Sequence, residues 1–281
     1  MPSSITHELI AESALSFLSE AGKKIVLAAP DYYYLGAQGP DVLFFCAPYG
    51  RGKNLGKLLH HGDAHALFQA MLRALKNRRG DDKTKCLSYA LGFCSHYAAD
   101  AVFHPFVYNY LRSHTRRFEH QQMENDWDVY FLGSLRGAFP LPYAYPFDAK
   151  KIAREGVLPA FLRECTSGVK PLDESAFMRG IIHFGRYLKF FHGRVRGECF
   201  ARLERVLSFR GISVFYPRRT PDPQIIESDD FAVLSEGGGK NADELFSRAV
   251  KRSAELENTF LSAKTLPKAL FPCNFEGVPT A

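Results

Sequence analysis

The chain lacks the usual devices for stapling, exporting or anchoring a polypeptide. Its six cysteines, Cys46, Cys86, Cys94, Cys165, Cys199 and Cys273, are scattered and form no Cys-x-x-Cys pair. That excludes a disulfide scaffold and a thiolate zinc knuckle, and reads as reduced, mostly buried thiols. No basic segment followed by an apolar run opens the chain, so no signal peptide is expected. No apolar stretch is long enough to span a bilayer. The expectation is a cytoplasmic protein with no stable membrane insertion. Internal repeats are missing, and no shift in composition marks a clean domain boundary. The charge imbalance is small: a net +6 suits an anionic or phosphate-bearing substrate without pointing to nucleic acid.

What is present is apolar bulk and helical periodicity. The 281 residues are 46% hydrophobic, with 24 Phe and 13 Tyr against one Trp. This is enough for a large core, and one all-α domain over 1–281, a multi-helix bundle, is the simplest reading. Apolar spacing predicts helices over Ser3–Lys24, capped by Ser3, Ser4 or Thr6, and over Gly56–Arg79. Further helices are expected at Lys83–Leu111, Ser113–Leu135, Leu158–Glu164, Glu174–Leu207 and Asn241–Lys264. Glycine and proline at Pro30, Gly36, Gly39-Pro40, Pro48, Gly50 and Gly52 predict an irregular loop over Ala29–Gly52. Pro105 predicts a kink or break near Ala101–Pro105. Leu135–Asp148 and Arg210–Lys240 read as long loops, and the tail from Thr265 as irregular.

The chemistry-bearing stretch is Lys85–Tyr130. With about 3.6 residues per helical turn, His96, Asp100 and His104 form one row and His120 and Glu124 a second. Short imidazole and carboxylate donors so placed are what a zinc ion needs. A hydrogen-bonded structural network is the competing explanation of the same rows. His7 lies in the first helical turn, and Asp41 follows Gly39-Pro40 on a tight turn, where it also fits an Asx-turn or an N-cap. His60, His61 and His65 cluster, and the spacing from Gly56 favours His60. Asp126 and Asp128 read as supporting or solvated carboxylates. Tyr32, Tyr34 and Phe44, near Asp41 in sequence, are candidates for a substrate wall, against the commoner role of aromatics as core.

Taken in order, these pieces carry a resemblance. They are an early His on a first helix, Gly39-Pro40-Asp41, Gly56-x-x-x-His60, Gly92-Phe93-x-x-His96-x-x-x-Asp100-x-x-x-His104-Pro105 and His120-x-x-x-Glu124. The sequence resembles the zinc-dependent phospholipase C family, whose fold is shared with the S1/P1-type nucleases. The resemblance implies an all-α bundle with up to three zinc ions in a cleft. It implies one zinc held by Asp41, His60, His96 and Asp100. A second would share Asp100 and be completed by His7 and the N-terminal amine, here that of Pro2, and a third would take His104, His120 and Glu124. The implied reaction is phosphodiester hydrolysis, with a metal-activated water attacking phosphorus in line and Asp41 as catalytic residue. The implied substrate is a phospholipid or related diester. A nuclease or nucleotidase of the same fold, and a helical binding protein that merely keeps structural zinc, remain the alternatives.

Overall fold

The computed structural model describes residues 4–46, 55–113, 119–137, 143–170, 172–193, 199, 202, 221, 223–226 and 241–280. The described chain is all-α. In order, its helices are α1 (Ser4–Ala14), α2 (Glu20–Ala28), α3 (Pro30–Gly36), α4 (Leu55–His61), α5 (Ala64–Lys76) and α6 (Gly80–Ser113). They continue with α7 (Glu119–Arg136), α8 (Ala149–Glu155), α9 (Val157–Thr166), α10 (Glu174–Phe191), α11 (Pro223–Ile226) and α12 (Ala242–Ser262). Among the described residues the only β-pairing is an isolated antiparallel bridge between Cys273 and Pro279. None of these helices is long and apolar enough to cross a membrane.

The long helix α6 is the axis, and α3 and α12 pack along it. Phe68, Phe93, Tyr97, Phe271 and Phe275 stack and cross beside its central turns. Phe103, Phe106, Trp127 and Phe131 form a second apolar cluster where α6 meets α7.

Several elements differ from the sequence expectation for local reasons. The first expected helix is two. Leu18 is extended, and the Ser19 hydroxyl caps α2 by accepting from Gly22 N. At the start of α1, where Ser3 lies outside the described residues, Asp128, on α7, accepts from Ile5 N, Thr6 N and Thr6 Oγ1 at 3.3, 2.7 and 2.9 Å. Residues 56–79 divide into α4 and α5 because Asp63 caps a new start. The expected irregular loop over 29–52 is helical where described. Pro30 fits the first turn of α3, and a 3₁₀ segment, Gly39–Phe45, begins with Pro40 in its first turn. At Pro105 the helix does not stop, and α6 continues to Ser113. The tail after α12 is irregular apart from a 3₁₀ turn at Lys268–Leu270, and Phe271, Cys273, Asn274 and Phe275 are buried.

Glu257, on α12, is fully buried and accepts hydrogen bonds from Ser253 Oγ at 2.8 Å and from Tyr33 Oη at 3.2 Å. Burial pushes its carboxyl up to about 8, against the downward pull of those two hydroxyls. The folded protein therefore holds a proton that the unfolded chain releases near the ordinary carboxyl value of 4.5. Its stabilising contribution is complete below that value, declines between the two, and levels off once both states are ionised. The slope inside the window is at most roughly 1.4 kcal/mol per pH unit. Replacing Glu257→Gln should flatten urea-derived stability between about pH 5 and about pH 8, the window this shift defines. An unchanged slope in the variant would show that Glu257 ionises normally.

Candidate metal centre

The centre is built from the α3–α6 crossing outward. The two helices touch backbone to backbone: a Cβ on Gly92 would lie 1.9 Å from the Tyr33 carbonyl oxygen, and one on Gly36 2.2 Å from that of Tyr89. This closeness brings the Ala37 carbonyl to His96, whose Nδ1–H donates to it at 3.1 Å. Two residues on, Gly39 has φ +51, and a side chain there would strike the His96 ring at 2.2 Å. Glycine is thus required twice over at this point, by conformation and by space, and Asp41 follows on the first turn of the 3₁₀ segment.

Three groups of donors result. Asp41, His60 and His96 form one, His7, His96 and Asp100 another, and His104, His120 and Glu124 a third. In each, one potential ligand atom per residue lies within 4.8 Å of the others. His7 and His96 stack with ring centroids 4.1 Å apart. Asp100 ties the first two groups together. Its Oδ2 lies 3.1 Å from His96 Nε2 and 3.7 Å from His60 Nε2, and its Oδ1 lies 3.3 Å from His7 Nε2. His7, Asp100, His104 and Glu124 line one cavity, with Phe103 and Trp127 in its apolar wall. The third group extends from it, with His120 Nε2 at 2.7 Å from Glu124 Oε1.

The orientation of the rings follows from their other nitrogens. A backbone carbonyl can only accept, so Nδ1 carries hydrogen in His60, His96 and His104, which donate to Gly56 (2.7 Å), Ala37 (3.1 Å) and Phe275 (2.6 Å) respectively. In each neutral ring Nε2 is then a lone pair, the arrangement found when histidine ligates a metal.

The lone pairs of His60 and His96 face carboxylate oxygens of Asp41 and Asp100. His96 Nε2, Asp100 Oδ2, Asp41 Oδ1 and Glu124 Oε2 are buried without a hydrogen bond of acceptable geometry. Each such orphan costs on the order of 1–3 kcal/mol. A positive centre between the donors removes the conflict. One form is a proton: burial works against a charged His60, but Asp41 and Asp100 outweigh it and lift the ring to about 9. Likewise burial opposes ionised Asp100, yet His96, His104 and His7 hold its carboxyl well below the usual range. For His120, Glu124 overcomes the same burial penalty and raises the ring. The other form is a divalent cation. Nitrogen and carboxylate donors without thiolate suit zinc, and the residues present fit such ions.

The structure brings together His7, Asp41, His60, His96 and Asp100, with His104, His120 and Glu124 alongside. His60 lies in the cluster, and its neighbour His61 is exposed. His65 instead bonds through Nε2 to the Leu266 carbonyl at 2.9 Å. Pro2 lies outside the described residues. Phe44 is partly buried with its ring 5.4 Å from that of His60. Tyr34 is partly buried, packed edge-on against Tyr33. Tyr32 does not fit a substrate wall: it is buried, and its hydroxyl is taken by Glu155 at 2.6 Å. The carbonyls of Ala37, Gly56 and Phe275 have no signature in the sequence, because every residue carries one. Asp128 was visible there as a supporting carboxylate, but its target, the start of the helix that carries His7, was not.

An all-α frame that gathers nitrogen and carboxylate donors into three groups on and around its central helices makes a candidate metal centre. The profile of the family described as zinc dependent phospholipase C matches residues 6–173, more than half of the chain. The chain belongs to the zinc-dependent phospholipase C family, a family of phospholipase C-like hydrolases. No curated protein and no solved structure matches it.

A Gly92→Ala substitution puts a methyl group where the Tyr33 carbonyl lies. The expected result is separation of α3 from α6, a stability loss of about 1–3 kcal/mol, and reduced bound zinc as Ala37 leaves His96. Thermal denaturation and elemental analysis of the purified variant check both. Wild-type stability with full metal content would mean that this crossing does not position His96.

Proposed function

We propose that this chain is a zinc-dependent phosphodiester hydrolase acting on phospholipids or related small diesters. The observation that supports it most directly is the set of buried lone pairs and carboxylate oxygens aimed at one another around Asp100. In this reading Asp41, His60, His96 and Asp100 hold one zinc. His7 and Asp100 would hold a second, and His104, His120 and Glu124 a third. Bound zinc supplies Lewis acidity, which acidifies water and neutralises the charge of a phosphodiester.

The chain's own groups do the rest. Asp41 Oδ1 takes the proton of the water that attacks phosphorus in line, or orients that water. Asp100 keeps two donor groups in register through its two oxygens. The third group, His104, His120 and Glu124, would hold the ion that stabilises the leaving alkoxide. Phe44, beside His60, would offer apolar contact to a substrate, whereas Tyr34 packs against Tyr33 with Glu8 and Glu12 as its acidic neighbours. Phe103 and Trp127 keep the inner wall dry, which strengthens every charge interaction within.

Removal of metal with a chelator should abolish hydrolysis of a chromogenic phosphodiester, and added zinc should restore it. Asp100→Asn should lower turnover by at least ~100-fold, with loss of more than one equivalent of bound zinc. A panel of phospholipid headgroups and single-stranded nucleotide substrates then separates a lipase from a nuclease. Full activity in the thoroughly demetallated protein would refute the reaction. Zinc retained with no hydrolysis of any diester would leave only a structural metal.

A further inference from the structure

The matched family region ends at residue 173, yet the last residues of the chain reach the metal centre. After α12 the tail returns across α5 and α6. His65 and Gln69 bond the Leu266 carbonyl, each at 2.9 Å, and Tyr97 Oη donates to the Cys273 carbonyl at 2.8 Å. The tail then closes into a loop. Cys273 bridges to Pro279, and Asn274 N donates to the Val278 carbonyl at 2.9 Å. The Asn274 side chain ties the loop from within. Its Oδ1 accepts from Glu276 N and Val278 N, both at 3.0 Å, and its Nδ2 donates to the His61 carbonyl at 3.4 Å.

Two contacts of this loop fall on consecutive residues of α6. The Phe275 carbonyl accepts from His104 Nδ1 at 2.6 Å. Gly277, at φ +71, lies flush on Pro105: a Cβ there would be 2.7 Å from the ring carbons Cγ and Cδ. The Phe275 side chain is fully buried, with ring centroids 5.8 Å from His60 and 6.0 Å from His96. An oxygen that can only accept places the proton on Nδ1 and leaves Nε2 as the free donor. A histidine ligand held in this way loses roughly 10–100-fold in metal affinity when its outer partner is removed.

We infer that the C-terminal loop 273–279 is the positioning element of His104: it fixes the ring's tautomer and orientation and thereby sets the affinity of the His104–His120–Glu124 site. The inference rests on reading those three residues as metal ligands. Asn274, Phe275 and Gly277 are positioning residues, not ligands.

The test uses the full chain and zinc alone. Asn274→Ala removes the acceptor that closes the loop, Asn274→Asp keeps it, and Gly277→Ala pushes the loop off Pro105. Zinc stoichiometry and competitive chelator titration give site affinities, and imidazole nitrogen NMR of the metal-free protein shows which His104 nitrogen is protonated. Thermal melts establish that each variant is folded. Asn274→Ala and Gly277→Ala should weaken one zinc site roughly 10–100-fold, leave the others intact and erode the Nδ1-protonated form of His104. Asn274→Asp should restore both readouts. Wild-type zinc affinity together with an unchanged His104 spectrum in a folded variant overturns the inference. If the wild-type chain binds no zinc at His104, the metal reading fails and the nitrogen spectrum alone decides. A lost Nδ1 proton in Asn274→Ala then upholds the loop's role, and a retained one refutes it.

Discussion

Asp100 sits where two groups of donors meet, and its two oxygens face the rings of His96, His60 and His7. With Nδ1 of His96 and His60 committed to carbonyls, the facing nitrogens and oxygens repel unless a proton donor or a cation lies between them. A folded chain tolerates such a constellation only when packing elsewhere forces it. That packing is visible in the central helix and its neighbours, whose buried aromatic rings fix α6. The cluster thus costs the fold unpaired buried polar atoms, and the apolar core supplies the stabilisation that offsets them.

The glycines convert this packing into precision. Gly36 and Gly92 let two helices meet backbone to backbone, and Gly39 lets the chain turn against the His96 ring. A helix–helix distance set by backbone contact cannot drift with side-chain rotamers, so the Ala37 carbonyl is a fixed reference point for His96. The same logic applies at the start of α1. Asp128 holds the N–H groups of Ile5 and Thr6, and α7 carries Asp128 together with His120 and Glu124. One helix therefore supplies two members of the third donor group and fixes the helix that carries His7.

The rows His96–Asp100–His104 and His120–Glu124 were legible in the sequence because donors four apart on a helix need no tertiary information to align. All-α architecture was legible for a similar reason, through apolar spacing. Capping decided what was missed. Ser19 and Asp63 start new helices inside stretches whose periodicity runs on unbroken. The glycines and prolines of 29–52 looked like loop residues, but Pro30 and Pro40 sit in first turns, where a missing N–H costs nothing. Tyr32 illustrates the opposite limit. Its neighbour in sequence, Tyr33, faces α1 and α12, while Tyr32 itself is turned to Glu155 on α8, so closeness to Asp41 along the chain says nothing about closeness in space.

Pro105 joins these threads. Inside a helix it removes one backbone hydrogen bond and ordinarily kinks or ends the element. Here α6 carries on, and the flat ring is covered by Gly277 of the C-terminal loop. A residue with an N–H at this position would keep its helical bond but lose the surface against which that loop rests. The loop in turn brings the Phe275 carbonyl to His104, one residue away. A proline that looks like a defect in the helix is better understood as half of a contact. Its other half lies about 170 residues on, beyond the reach of any local reading of the chain.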